Sequence, residues 1–97
     1  MTVAQFHSEA EAELLATARF YEEQADQLGI DFVAAVEATR DHLCEFPESG
    51  RPYGPRLRRF LIRRFPHALI YHWNGERILV VAVAHVRRRP GYWRTRS

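Results

Sequence analysis

Lysine is missing from this chain: all 14 basic residues among its 97 are arginine. A lysine acid or base is thereby excluded. What remains is a planar, weakly hydrated donor that suits phosphates, carboxylates and aromatic faces but does not give up its proton. Cysteine is nearly absent too. Cys44 stands alone, so no internal disulfide can form, in agreement with a reducing compartment, and its spacing puts it inside a helix as a small core residue. No run of about 18 apolar residues could span a bilayer, and the opening "MTVAQFHSEAEAEL" has neither a basic start nor an apolar signal core. A cytoplasmic protein with no membrane partner is expected. Metal-ligand spacing is lacking as well: His67 and His72 fall on opposite faces of one strand, and His7 and His42 lie in the other half. Neither a metal nor another cofactor is expected.

Acid is scarce in one half only. Residues 1–48 hold eleven acids and two arginines, whereas residues 49–97 hold one acid, Glu76, and twelve arginines. The net charge of +2 conceals this division. A polyanion or an acidic peptide is the natural partner of the second half. With 46% hydrophobic and 27% charged residues, the chain is neither disordered nor fibrous, and 97 residues make one domain, 1–97.

Hydrophobic spacing sets the expected elements. "VAQF" at 3–6 reads as a strand, and Ser8 with Glu11 forms a capping box for a helix whose buried stripe runs Leu14, Ala18, Tyr21, Ala25, Leu28 and stops at Gly29. Asp31 caps a second helix, with Phe32, Val36, Thr39, Leu43 and Phe46 inward, ended by Pro47 and Gly50. The short link makes the two helices antiparallel. "PESGRPYGP" is a loop, "RLRRFLIRRF" a half-buried strand, and "HALIYHW", Asn74-Gly75, "ERILVVAVAHV" a hairpin with a type I′ turn. The last strand is apolar on both faces from Ile78 to Ala84, which marks it as central. The fold class is α+β, in the order β-α-α-β-β-β: an acidic helical hairpin packed on a small antiparallel sheet whose other face carries arginines.

End to end, these residues resemble the RelE/ParE superfamily of type II toxin–antitoxin toxins. The resemblance rests on Phe6, Ala10, Glu13-Leu14 and Phe20-Tyr21-Glu22, on "FP..G" at Phe46, Pro47 and Gly50, on "RRFLIRRFPHALIYHW", and on the closing "VVAVAHVRRRPGYWRTR". It implies a growth-arresting toxin neutralised by a cognate antitoxin, whose C-terminal segment would here be acidic and amphipathic. In RelE-like members the target is ribosome-bound mRNA, which they cut. In ParE-like members, the plasmid-stabilising branch, it is DNA gyrase.

RNA cleavage needs a base for the 2′-hydroxyl, an acid for the leaving oxygen and positive charge on the phosphate. In a RelE-like toxin those roles would fall to His85, Tyr92 and Arg88, with Arg59 and Arg63 sharing a strand face as phosphate clamps. The only acid of the sheet region, Glu76, is committed to the hairpin turn. The ParE-like reading asks only for a binding surface, and Arg59, Arg63, Arg87, Arg88, Arg89 and Arg94 supply one for a protein or nucleic-acid target. It is the favoured reading. A nucleic-acid-binding module without chemistry is a further alternative, opposed by the net charge of −9 on the helical half. Pro90-Gly91 should turn the chain, and Trp93 should fold back onto the sheet.

Overall fold

The computed structural model describes residues 2–96. Strand β1 (Val3–Phe6) leads into helix α1 (Ser8–Gln24), helix α2 (Leu28–Glu45) and four further strands, β2 (Arg51–Tyr53), β3 (Leu57–Leu61), β4 (His67–Trp73) and β5 (Arg77–His85). Both helices lie on one face of a five-stranded sheet ordered β1-β5-β4-β3-β2. The expected α+β order is therefore present, with one strand more. Among the described residues, no helix is long and apolar enough to cross a membrane.

The helix ends differ from expectation. α1 begins one residue early for a Ser8 cap: His7 is the cap, and its Nδ1 accepts from the Glu9 amide at 3.1 Å. Gly29 does not stop α1, nor does Asp31 cap α2. The chain turns at Gln27, which takes the left-handed conformation (φ 72°), and α2 is already under way at Leu28. Glu22 makes this turn possible from the preceding helix, its carboxylate accepting from the Gln27 and Gly29 amides at 3.0 Å each. Gly29 serves close approach instead. A Cβ there would run into the Ala18 carbonyl oxygen and stand 2.9 Å from the Glu22 Cβ.

The buried stripes of the helices meet the inner face of the sheet. Ala10, Phe32, Val36 and Leu43 pack against Leu69, Tyr71, Ile78, Val80 and Val83. Tyr71 has a second task. Its hydroxyl accepts from the Gly50 amide at 3.0 Å and donates to the Pro47 carbonyl at 2.8 Å, while Arg58 donates to the Glu48 and Gly50 carbonyls. So braced, the tract read as a loop lays Arg51–Tyr53 beside β3 as an edge strand, where Pro52 is tolerated.

Three further corrections follow from pairing. The sheet is mixed, since β1 runs parallel to β5 while the other pairs are antiparallel. β3 ends at Leu61, and Arg63 falls in the turn that follows, next to Arg64 at φ 74°. Arg59 and Arg63 therefore do not share a strand face. The Asn74-Gly75 hairpin is not type I′, which needs two positive φ values; only Gly75 has one (φ 94°). Asn74 braces the turn through its side chain, Oδ1 accepting from the Glu76 and Arg77 amides at 2.8 Å each.

β5 is central, between β1 and β4, as its two apolar faces suggested. Its pattern departs from strict alternation because Val81 is an extra residue between the pairs Tyr71–Val80 and Ile70–Ala82. This bulge turns both Val81 and Ala82 to the outer face.

Candidate functional site on the outer face of the sheet

Register decides what faces outward. Arg51 pairs with Arg59, Arg59 with Ile70, and Ile70 with Ala82, so these four form one row across the sheet. The next row runs Leu61, Ala68, Ala84. Alanine at positions 68, 82 and 84 leaves a depression, and Trp93 fills part of it. Gly91, at φ 93°, turns the terminal segment, and Trp93, 5% exposed, stacks at 5.7 Å on Tyr53. The structural role expected of Trp93 is observed.

Beside Trp93 lies a cleft of about 250 Å³ with Arg51, Arg59 and Arg88 around an apolar floor of Ala68, Ile70 and Ala84. A wider groove of about 940 Å³ shares Tyr53, Pro90 and Trp93 with it; its floor is Leu57, Leu79 and Val81, and Arg56 and Arg94 stand at its side. Neither depression has an acidic lining residue. Three second-half arginines reach carboxylates of the helices: Arg64 to Asp31, Arg88 to Glu13, and Arg96 to Glu9 and Glu13. Among the described residues no carboxylate pairs with Arg51, Arg59, Arg63, Arg87, Arg89 or Arg94. The arginine surplus is therefore real, and Arg51, Arg59 and Arg94 bring part of it to this face.

Of the residues named for RNA chemistry, His85 and Arg88 line one cleft with Arg59, and Tyr92 is not among its lining residues. His85 is exposed at the end of β5 and borders the cleft, but it pairs with His67, and its ring packs edge-on against that buried ring at 5.1 Å. His67 belongs to the helix side, among Tyr21 and Phe32. Burial first, and the neighbouring His85 second, hold the pKa of His67 down at about 4. His72 lines the outer groove, so the two histidines of β4 do lie on opposite faces. The Tyr92 hydroxyl is buried. Burial, followed by the Glu13 carboxylate, pushes its pKa up to about 12. Arg88 lies over the Tyr92 ring at 3.7 Å, and Arg63, Arg87, Arg89 and Arg94 are exposed.

Sequence reading missed two features. One is Arg51, assigned to a loop. The other is a side-chain closure of the β5 edge. Beyond the end of β1 that edge is met by Glu13, whose Oε1 accepts from the Val83 amide at 3.0 Å, and by Arg96, which donates to the Val81 carbonyl at 2.9 Å. The two side chains join each other at 2.9 Å. Neither partnership carries a local signal, since the residues stand 70 and 83 positions apart.

A model of the family described as "ParE toxin of type II toxin-antitoxin system, parDE" matches residues 4–90. The chain belongs to the ParE toxin family. A solved chain from the chromosomal ParDE TA system of P. aeruginosa is similar over 88% of this chain and 96% of its own, with a TM-score of 0.77 and 19% sequence identity. That likeness is one of fold. Comparison with curated proteins returns no match. The ParE family match ends at Pro90, so Tyr92, Trp93 and Arg96, which cover the sheet and close its edge, lie beyond it.

Proposed function

We infer that this ParE-family toxin arrests growth by binding a protein target, DNA gyrase, and that it does so without catalysis of its own. The observation that carries this reading is the burial of the Tyr92 hydroxyl, which leaves His85 without a second acid–base group in the cleft it shares with Arg51, Arg59 and Arg88. The His85 ring packs edge-on against His67 at the border of that cleft, and the Tyr92 hydroxyl is buried beside Glu13. An RNA phosphate held by those arginines would lack the paired acid and base that attack by a 2′-hydroxyl requires. Binding asks for less. Exposed Arg63, Arg87, Arg89 and Arg94 offer charge that the fold does not neutralise.

The antitoxin of such a pair would carry an acidic, amphipathic C-terminal segment. The wide groove supports this, with Leu57, Leu79 and Val81 to take apolar side chains and Arg56 and Arg94 to take carboxylates. Controlled expression of the chain alone, scored for trapped gyrase cleavage complexes and for mRNA cutting on ribosomes, tests the target. Gyrase trapping with intact mRNA is expected, and His85→Ala should leave it unchanged. Cleaved codons that disappear in His85→Ala would overturn the reading in favour of an mRNA interferase.

A further inference from the structure

We propose that the small cleft on the outer face is a binding site for a phosphate monoester of a compact organic group, with Arg51 and Arg59 as its paired phosphate clamp. This goes beyond the toxin's target and does not depend on it. The starting point is an arrangement the fold by itself disfavours. Arg51 and Arg59 are direct partners across β2 and β3, and like charges directly opposite in a sheet destabilise the pair. Among the described residues no carboxylate relieves them. Arg59 has only the Tyr53 ring, its guanidinium 5.9 Å from the centroid.

Two arginines at partnered strand positions, both lining one cleft, ask for an anion of matching charge. A phosphate monoester carries about −1.5 to −2 at pH 7 and three acceptor oxygens, so it can take a bidentate contact from each fork. A single carboxylate carries only about half to two-thirds of that charge. Arg88, on the far wall, is held toward Tyr92 and Glu13 and adds a positive field more than a contact.

The cleft is also too large for phosphate alone. Its volume of about 250 Å³ equals the share of roughly eight waters in the liquid. The remaining space borders Ala68, Ile70 and Ala84, the aromatic pair Tyr53 and Trp93, and the ring of His85, a lining suited to a small flat group. A nucleoside monophosphate has both parts. The terminal segment helps form the site, since Pro90 and Trp93 supply one wall.

Fluorescence of Trp93 and isothermal titration calorimetry with adenosine 5′-monophosphate, inorganic phosphate, adenosine, an acidic peptide and a short single-stranded RNA without terminal phosphates test this at physiological salt. Saturable binding is expected for the monophosphate, weaker binding for phosphate and none for adenosine. Arg51→Gln and Arg59→Gln should each weaken it by about tenfold or more, and Arg19→Gln, on helix α1, should not. In ligand-free buffer both cleft variants should melt no lower than the parent, because the cross-strand repulsion is gone. A lower melting temperature in either would show the pair to be structural and overturn the proposal. So would failure of the monophosphate to bind, insensitivity to both substitutions, or tighter binding of the RNA or the acidic peptide than of the monophosphate.

Discussion

Replacing Glu13 by alanine should cost this protein about 3 kcal/mol, although the residue lies on a helix whose other acids are mostly solvated. Its carboxylate, 16% exposed, accepts from the Val83 amide at 3.0 Å and from Arg96 at 2.9 Å, and the Arg96 side chain is 9% exposed. Hydrogen bonds to a charged group contribute about 1.5–3 kcal/mol each, and their loss here leaves a strand amide and a nearly buried guanidinium without their acceptor. The flanking ion pairs add little. Arg88–Glu13 at 3.8 Å and Arg96–Glu9 at 3.7 Å each involve a partner more than half exposed and screened by solvent. In a domain of this size a loss of 3 kcal/mol lowers Tm by roughly 12–24 °C. Urea unfolding of Glu13→Gln, Arg96→Met and the double variant isolates the pair itself, with a coupling of about 1.5 kcal/mol or more expected. Because the contact is shielded, the coupling should persist at high salt. A cost for Glu13→Ala below about 0.5 kcal/mol, the range of ordinary surface substitutions, would refute the edge-closure argument.

Two further outcomes rest on particular side chains. His67 is 5% exposed and held neutral, its pKa lowered from 6.5 to about 4. The unfolded chain therefore takes up a proton before the folded one, and this contribution to stability, intact above pH 6.5, is lost as pH falls from 6.5 to 4. Between pH 7 and 4.5 the parent should lose about 2 kcal/mol more than His67→Phe, read by urea unfolding at each pH. Equal pH dependence in the two would disprove the assignment. Gly29→Ala should destabilise, against the usual gain from removing a helical glycine, because the new Cβ meets the Ala18 carbonyl oxygen; a raised Tm would contradict that close approach.

Much of the fold was legible in local pattern. Periodicity placed both helices and the β4–β5 pair, and continuous apolarity from Ile78 to Ala84 located the central strand. Errors fell where one segment is completed by another. The α1–α2 junction depends on Glu22 reaching forward to two amides, and β2 depends on Tyr71 and Arg58 bracing the loop before it. Propensity at Gly29 or in "PESGRPYGP" carries no trace of either. The candidate site was half visible, since the arginines were counted but their faces were not.

Composition and order along the chain determined the charge division, the element types and the family, because these depend on residue identity and short-range period. Tertiary structure alone decided how the arginines are used. Strand register set Arg51 opposite Arg59, and the bulge at Val81 sorted β5 between the two faces of the sheet. Pairing of His85 with His67 set the two rings edge to face at the border of the cleft, and the end of β1 left an edge for Glu13 and Arg96 to close. Register and edge closure join residues tens of positions apart, and a one-residue slip would reverse every face, so no local window of sequence contains them.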